Sequence, residues 1–287
     1  MIIINLTGGL GNQLFQYALG RKLAITNNDV LKIDLQGLKP RKIKSVRRSF
    51  SLGEFNIKAE LASPAEIDSL KYPYKIISRL TFWLKYRILK QSNLKFNPKI
   101  LKIKPKVYLH GLWQSPLYFS DIRQYLLSEL IPTNVTRVEA SPTYNFIEET
   151  NSVSIHIRRG DYVSDKNAKY LLGLCSLTYY IESIERIKRV VKNPVFFIFS
   201  DDIPWVMKNL PVLGEYHYIN DRTMNDVDQF WLMSRSKHHI ISNSTYSWWA
   251  AWLNVNDKKI IVCPDPWYDN IICDPSLIAP EWIRLSK

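Results

Sequence analysis

The sequence predicts an α/β fold built as two Rossmann-like domains with mainly parallel sheets, and three observations support it. Short runs rich in β-branched residues alternate with helical patterns along the chain, as βαβ units require. The 287 residues are 46% hydrophobic and 13% aromatic, enough for one large core or two smaller ones. A polar stretch at 131–149, which contains Pro132 and Pro142, predicts a linker between an N-terminal domain at 1–140 and a C-terminal domain at 150–287.

Seven runs rich in β-branched or aromatic residues predict strands: Ile2–Asn5, Val30–Asp34, Val107–His110, Ser152–Ile157, Val195–Ser200, His238–Ser242 and Lys259–Cys263. Four stretches with apolar residues at helical spacing predict helices: Gln13–Thr26, Leu177–Val191, Gln229–Ser236 and Tyr246–Val255. Because strands and helices alternate, the strands are expected to run parallel, with their carboxyl ends along one edge of each sheet.

Neither a signal peptide nor a membrane span is expected. The opening apolar run, Ile2–Ile4, is much shorter than the apolar core of a signal peptide. No other stretch approaches the roughly 18 uncharged apolar residues of a membrane helix. The three cysteines, Cys175, Cys263 and Cys273, are few and odd in number, which favours a reduced, cytoplasmic setting with all three structural.

The net charge of +13 is concentrated in one segment. Lys39–Lys106 holds 18 Lys and Arg against four acidic residues, a local excess of 14. This segment is interpreted as a solvated surface, as a contact with an anionic membrane, or as a nucleic-acid interface. Its aromatic residues at 72–74 and 82–83 add the expectation of an amphipathic interfacial helix around residues 75–90. A nucleic-acid-binding protein would explain the charge but not the polar clusters of the C-terminal half.

Those polar clusters directly follow four predicted strands: Arg158–Tyr162, Ser200–Asp202, Ser242–Ser247 and Cys263–Asp265. In open α/β sheets, ligands lie beyond the carboxyl ends of the strands. The four clusters therefore predict the rim of a single binding site.

The densest cluster predicts a phosphate contact. Side chains alternate along a strand, so His156 and Arg158 share a face while Arg159 points elsewhere. The fork of Arg158 suits a diphosphate and would offset the negative charge on a leaving nucleoside diphosphate. Arg159 is interpreted as partly structural, in an ion pair with Asp161 that holds the loop.

The cluster Ser242–Ser247 leads into a predicted helix. Hydroxyl groups and backbone N–H groups at a helix start can hold an anion, although N-capping by Ser244 or Thr245 would also explain them. Six consecutive polar or hydroxyl-bearing residues are more than a cap needs, and a donor-binding loop is expected. The tryptophans that follow, at 248, 249 and 252, are expected in the core.

A glycine-rich turn at Gly8–Gln13 follows the first strand. It is not a P-loop, because no Gly-Lys-Ser/Thr follows it. Gly9 and Gly11 fit half of a dinucleotide-binding fingerprint, and Asp34 could bind a ribose, so a nicotinamide oxidoreductase remains an alternative. That alternative gives no role to the strand-end arginine or to the hydroxyl-rich loop. In either case Asn12 or Gln13 is presented at the start of a helix.

Asp226-Val227-Asp228 matches the short Asp-x-Asp pattern with which many glycosyltransferases bind a metal. Acidic residues before a helix also stabilise its dipole, which gives a second explanation. The five histidines show no ligand spacing. No metal is expected.

Four segments taken together resemble the α-1,2-fucosyltransferase family of bacterial enzymes and blood-group H type enzymes. They are Gly8–Ala18, His156–Val163, Phe199–Asp202 and Leu232–Leu253, and Pro280–Ile283 adds to the likeness. The resemblance implies an inverting, metal-independent transferase of GT-B type without a cofactor. It further implies GDP-β-L-fucose as donor, the 2-hydroxyl of a terminal galactose as acceptor, and a role in O-antigen or other surface polysaccharide synthesis, with no nucleic-acid partner.

The resemblance also implies roles for individual residues. Arg158 would lie on the β-phosphate, with Arg159 and a loop of small polar residues also around the donor: Asn243, Ser244, Thr245 and Ser247. His156 and an acid would contact the guanine, where Gln229 occupies the expected position and Asp228 lies one earlier. Asp161 is the candidate general base, and Asn12 would orient the acceptor or the leaving group.

Overall fold

The computed structural model describes residues 1–39, 48–71, 88–211, 214–221 and 223–287. The chain divides into two compact units, an N-terminal unit of Met1–Ile131 with Asp274–Leu277 and a C-terminal unit of Pro132–Cys273 with Ile278–Lys287.

Within the described residues, the sheet of the N-terminal unit has five parallel strands: β1 (Ile2–Asn5), β2 (Leu31–Asp34), β3 (Glu60–Leu61), β4 (Ile88–Lys90) and β5 (Val107–His110). Their order is β3-β2-β1-β5-β4. The α-helices in the described part of this unit are α1 (Leu10–Asn27), α2 (Pro64–Lys71) and α3 (Arg123–Glu129). The chain extends the sheet outward from β1 through β2 to β3 on one side, whereas on the other side β4 forms the edge and β5 lies between β4 and β1.

The sheet of the C-terminal unit has six parallel strands: β6 (Asn151–Ile157), β7 (Pro194–Ser200), β8 (Glu215–Tyr218), β9 (His238–Ile240), β10 (Ile261–Asp265) and β11 (Ile283–Ser286). Its helices within the described residues are α4 (Val135–Glu139), α5 (Pro142–Glu149), α6 (Gly160–Ser164), α7 (Lys166–Leu172), α8 (Leu177–Lys188), α9 (Ile203–Asn209), α10 (Asp226–Arg235) and α11 (Thr245–Leu253). The order β11-β10-β9-β6-β7-β8 is that of a Rossmann sheet, with the reversal between β6 and β9.

Local sequence explains where the helices begin and how they pack. In α8, the Ser176 side chain accepts a hydrogen bond from the Tyr179 N–H and caps the helix start. The apolar face that follows, with Ile184 and Ile187, is buried against the sheet in one core with Ile155. In α1, Gly20 lets the helix approach β2, because a Cβ there would meet Leu31 at 2.7 Å.

The seven predicted strands and four predicted helices are all present, with ends that differ by up to three residues. Four further strands, β3, β4, β8 and β11, escape the sequence patterns. They are two to four residues long and all four lie at sheet edges, where half-exposed strands carry little apolar signal. Much of the predicted linker 131–149 is helical, as α4 and α5. The predicted interfacial helix around 75–90 falls mainly on 72–87, outside the described residues.

Candidate active site

The C-terminal unit brings two of the predicted polar clusters to the reversal point of its sheet. Arg158 follows the carboxyl end of β6, and Ser242 follows the carboxyl end of the neighbouring strand β9. In doubly wound sheets this point is where ligands bind, because the connections leave in opposite directions and open a crevice. We therefore assign the candidate donor site to this edge.

Arg158 is held by two carboxylates. Its Nε and Nη2 atoms donate to Oδ1 of Asp161 at 3.1 and 2.6 Å, and its Nη1 atom lies 2.8 Å from Oδ2 of Asp201. The guanidinium also lies 5.8 Å from the centre of the Tyr162 ring. A quarter of the side chain remains exposed, so the fork is fixed in direction yet open to a ligand.

The charge state of Arg158 follows from this setting. Burial alone would lower the pKa of the guanidinium, but Asp201 and Asp161 outweigh burial and raise it. Arg158 is therefore a permanent cation, as a contact to a developing phosphate charge requires.

Arg159 makes a different set of contacts. Its Nε donates to Asp202 at 3.0 Å, and its guanidinium stacks 3.5 Å from the centre of the Trp205 ring. Asp161 thus pairs with Arg158 and not with Arg159, so the predicted Arg159–Asp161 pair is wrong. The reason is that Arg159 points toward the start of α9, where it meets Asp202, the residue that caps this helix.

Gly160 makes room for the second carboxylate. A Cβ at Gly160 would lie 2.5 Å from Oδ2 of Asp201, the oxygen that faces Arg158. The other oxygen of Asp201 accepts the Arg159 N–H at 2.8 Å. The Arg-Arg-Gly sequence and Asp201 therefore form one unit that sets the direction of the Arg158 fork.

His156 is buried beneath this rim. Its Nδ1 lies 2.9 Å from Oγ of Ser242, and its ring lies 5.4 Å from that of Tyr246. Burial, helped by the charge of Arg158, lowers the pKa of His156 to about 3. The imidazole is therefore neutral near pH 7.

Several side chains of the loop Ser242–Ser247 make hydrogen bonds within the protein. The buried amide of Asn243 donates to the carbonyl groups of Leu172 and Gly173 at 2.8 and 3.1 Å, which ties down the preceding loop. Ser244 caps α11, and the buried Ser247 Oγ donates to the Ser244 carbonyl at 3.3 Å. Thr245 is half-buried at the first helical position. The start of α11 follows directly on this loop, and the N-terminus of a helix favours an anion.

Asp228 has an internal role. Its carboxylate accepts the Asn225 N–H at 2.9 Å in a capping box at the start of α10, and it forms an ion pair with Arg137 from α4. Arg137 gave no sequence signal, because its partner lies 91 residues away.

Asn12 lies in the N-terminal unit, in the first turn of α1. Its Oδ1 accepts from Nε2 of Gln114 at 2.9 Å, and its Nδ2 packs so closely on Gly8 that a Cβ there would meet it at 2.4 Å. Gly8 has a φ of +79°, which a glycine adopts without strain. The glycine turn thus packs against the amide of Asn12.

Asp34 does not have the setting of a ribose-binding acid. Its Oδ2 accepts from the Tyr108 hydroxyl at 2.5 Å and from the Lys71 ammonium at 3.1 Å, and its Oδ1 accepts the Gln36 N–H at 2.8 Å. Burial would raise the pKa of Asp34, but these hydrogen bonds lower it. The carboxylate is committed to the protein, which removes the main support for an oxidoreductase.

The predicted residues of the C-terminal unit therefore gather around β6, β9 and the starts of α10 and α11. Asp201 and Asp202 were recognised only as part of a strand-end cluster, and the structure adds them as the partners of Arg158 and Arg159. Among the described ranges, no group of three or more histidine, cysteine, aspartate or glutamate side chains has the arrangement of a metal site.

Two units built on parallel, doubly wound sheets define the GT-B type of architecture. The chain belongs to glycosyl transferase family 11, whose sequence profile matches residues 1–286.

Two relatives and one solved structure extend this assignment. An α-1,2-colitosyltransferase of Escherichia coli is 36% identical over 295 residues, covering 100% of this chain and 99% of the relative. The O-antigen biosynthesis glycosyltransferase WbnK of Escherichia coli is 30% identical over 307 residues, covering 98% and 99%. The structure of NodZ α-1,6-fucosyltransferase soaked with GDP-fucose superposes with a TM-score of 0.52 at 14% identity, covering 96% and 99%, a likeness of fold.

Proposed function

We propose that this glycosyltransferase moves L-fucose from GDP-β-L-fucose to the 2-hydroxyl of a terminal galactose, with inversion at the anomeric carbon. The observation that carries the proposal is Arg158, fixed by Asp161 and Asp201 at the reversal point of a Rossmann sheet. The α-1,2 linkage is supported by the name of the 36% identical relative, and GDP-fucose by the NodZ structure, whose crystals were soaked with that donor. The acceptor belongs to an O-antigen or similar surface glycan, in line with the second relative.

The residues of the C-terminal unit act on the donor. As the glycosidic bond breaks, negative charge gathers on the departing GDP, and the guanidinium of Arg158 stabilises it. The N–H groups at the start of α11 stabilise the same charge. Neutral His156 and the acidic start of α10 are proposed to contact the guanine. Asp161 keeps the Arg158 fork in place.

Transfer is proposed to need no divalent metal. Of the two acids in the Asp-x-Asp pattern, Asp228 is buried and already engaged by Arg137 and by the helix cap. A metal would have to break both contacts before Asp228 could ligate it.

Colitose transfer is the second candidate, because the 36% identical relative carries that activity. Colitose is fucose without its 3-hydroxyl group. A site built to hydrogen-bond a substrate hydroxyl rejects the analogue that lacks it by about 10⁴-fold or more. The two donors therefore give a sharp difference in kcat/KM, and fucose is expected to be preferred.

The first test is a transfer assay with the purified chain, GDP-fucose or GDP-colitose, and a soluble β-galactoside. We expect release of GDP from GDP-fucose and a product whose NMR spectrum shows an α-1,2 linkage. Transfer should continue in excess EDTA.

Three results, two from this assay and one from a binding measurement, would contradict the proposal. Preference for GDP-colitose would show that colitose, not fucose, is the sugar transferred. Loss of activity in EDTA with recovery on adding Mn²⁺ would show that transfer depends on a divalent metal. Binding of NAD without binding of GDP, measured by calorimetry, would remove the glycosyltransferase chemistry altogether.

Peripheral contact with an anionic membrane is proposed for the basic segment Lys39–Lys106. Between Ile88 and His110 it carries no acid, and six of its lysines are exposed: Lys90, Lys95, Lys99, Lys102, Lys104 and Lys106. None of the described helices is long and apolar enough to cross a bilayer. Each basic residue near an anionic surface adds about 1 kcal/mol, so reversible docking at the cytoplasmic face of a bacterial inner membrane is within reach.

Vesicle co-sedimentation tests this contact. Reversing Lys95, Lys99 and Lys102 to Glu should weaken binding to anionic vesicles by about 100-fold or more, and moderate salt should weaken wild-type binding, because screening acts over about 8–10 Å.

The matched control reverses three exposed lysines of the C-terminal unit, Lys166, Lys192 and Lys208, which changes the net charge equally. Equal losses in both triple variants, or equal binding of the wild type to neutral vesicles, would show that this segment is only a solvated surface.

A further inference from the structure

The short helix α7 lies beside the loop Ser242–Ser247 (the donor loop), and none of its seven residues is buried. Most of the stability of a helix in a protein comes from packing of an apolar face, so the position of α7 depends on other contacts. The amide of Asn243, in the donor loop, donates to the carbonyl groups of Leu172 and Gly173 at 2.8 and 3.1 Å. The end of α7 and the donor loop are therefore joined directly.

Lys287 holds the same end of α7. Its Nζ donates to the Leu172 carbonyl at 2.7 Å and to the Trp267 carbonyl at 3.4 Å, and it lies 2.8 Å from Oδ1 of Asp269. An ammonium group has three N–H donors, which match these three oxygen atoms. Only 5% of the Lys287 side chain is exposed, so water competes little for them. Lys287 and Asn243 thus donate to one and the same oxygen, that of Leu172.

Asp269 and its neighbour hold the backbone at this point. Gly173 has a φ of +71°, and a Cβ there would lie 2.0 Å from Oδ2 of Asp269, so the position requires glycine. Asn270 donates its backbone N–H to the Leu171 carbonyl at 3.0 Å and its side-chain amide to the Tyr170 carbonyl at 2.7 Å. The end of α7 is therefore held by several polar contacts, and the loss of one of them should loosen it.

The donor loop is also joined to Arg158. The hydroxyl of Tyr162 donates to the Asn243 carbonyl at 3.1 Å, and the Arg158 guanidinium lies 5.8 Å from the centre of the same ring. Burial raises the pKa of Tyr162 above its usual value, so the hydroxyl keeps its proton. The backbone of Asn243 is thus held by Tyr162, and its side chain is held by the end of α7.

We propose that Lys287 is a positioning residue of the donor site: it holds the donor loop in its binding conformation through the end of α7. This inference rests on the proposed function, and every residue it uses lies in the C-terminal unit. When the ammonium group is lost, the end of α7 and Asn243 are released together, and fewer molecules have the loop in place. The apparent affinity for the donor falls by the same fraction, because the donor binds only the competent conformation.

The test compares Lys287→Met with wild type, because methionine is of similar length and lacks the ammonium group. We expect Kd for GDP and KM for GDP-fucose to rise about 10-fold, since a buried, hydrogen-bonded charge is removed. At saturating donor, kcat should stay within about three-fold of wild type, because bound donor restores the loop. KM for the galactoside should not change. Lys287→Arg, which keeps N–H donors for these oxygens, should recover most of the affinity.

Arg284→Met is the matched control. Arg284 lies on β11, three residues before Lys287, and its Nη2 donates to the Ile278 carbonyl at 3.1 Å. The variant removes an equal charge from the same part of the chain, and the hydrogen bond it breaks does not reach α7 or the donor loop. Its GDP affinity should equal that of wild type. A loss of folded protein alone would lower the apparent kcat and the binding stoichiometry but leave KM and Kd unchanged.

Cys175 reports the position of the donor loop without catalysis. Its Sγ lies 3.7 Å from Oδ1 of Asn243, and burial raises its pKa to about 11. The thiol is therefore protonated near pH 7 and reacts slowly while the loop is in place. Alkylation of Cys175, resolved from the other cysteines by peptide mass spectrometry, should be about 10-fold faster in Lys287→Met than in wild type or Arg284→Met.

Two results would overturn the role of Lys287. The first is a Lys287→Met variant with the GDP affinity and the Cys175 alkylation rate of wild type. The second is an equal loss of affinity in Lys287→Met and Arg284→Met, because the change in charge would then explain the effect. If circular dichroism shows that Lys287→Met does not fold, Asp269→Asn replaces it, since this variant removes the ion pair and keeps the shape of the side chain.

The proposed function fails separately. A wild type that binds GDP but transfers no fucose refutes the proposed function, and the comparison of GDP affinities still decides the role of Lys287. A wild type that binds no GDP refutes both. An active wild type with an unchanged Lys287→Met variant refutes only the role of Lys287.

Discussion

Replacing Arg158 by lysine is expected to lower kcat about 100-fold or more while the fold stays intact. The guanidinium donates to Asp161 on one side and contacts Asp201 on another, and a single ammonium group cannot span both. The charge would survive, but its direction toward the departing phosphate would be lost. Steady-state kinetics with GDP-fucose measure the change, and thermal unfolding confirms the fold.

Arg159→Lys is the matched control. Its guanidinium is committed to Asp202 and to the Trp205 ring, so its loss should affect stability more than kcat. An Arg158→Lys enzyme within a few-fold of wild type would remove Arg158 from the chemistry. Equal rate losses in the two variants would show that the loop needs both arginines and that neither acts specifically on the phosphate.

Lowering the pH from 7 to 5 is expected to reduce the free energy of unfolding by about 4 kcal/mol. Burial lowers the pKa of both His156 and His239 to about 3, whereas an unfolded histidine titrates near 6.5. Between these values the unfolded state binds more protons, so stability falls as the pH falls from about 6.5 toward 3. Each histidine contributes about half of the loss.

Urea unfolding at several pH values measures this dependence. His239 is enclosed by Ser154 at 2.8 Å and Asn254 at 2.9 Å, away from the donor rim, so His239→Asn should halve the loss between pH 7 and 5. Ser154→Ala is the control, because it lowers stability but leaves the imidazole buried and the pH slope in place. A wild-type free energy that is constant over this range would contradict the buried neutral state of both rings.

The sequence itself was sufficient for the class of fold and for the clustering of polar residues in the C-terminal unit. The alternation of strand and helix patterns is local, and it marked β6, β7, β9 and β10 together with the polar residues that follow them. Since parallel strands end at a common edge, the clustering of Arg158 with the loop Ser242–Ser247 followed from the pattern. The short strands at the sheet edges were missed because their burial is partial and their length carries no period.

Which side chains pair was decided only by the tertiary structure. Arg158 contacts Asp201, 43 positions away, and His110 contacts Asn5, 105 positions away, because strand order and register bring β6 beside β7 and β5 beside β1. Local composition predicts neither of these two pairings, since any carboxylate or amide at a strand end would give the same sequence pattern. The chain's sequence thus determined the polar residues at the strand ends, and the non-local pairing of strands determined which of them orient Arg158 and which contact His110.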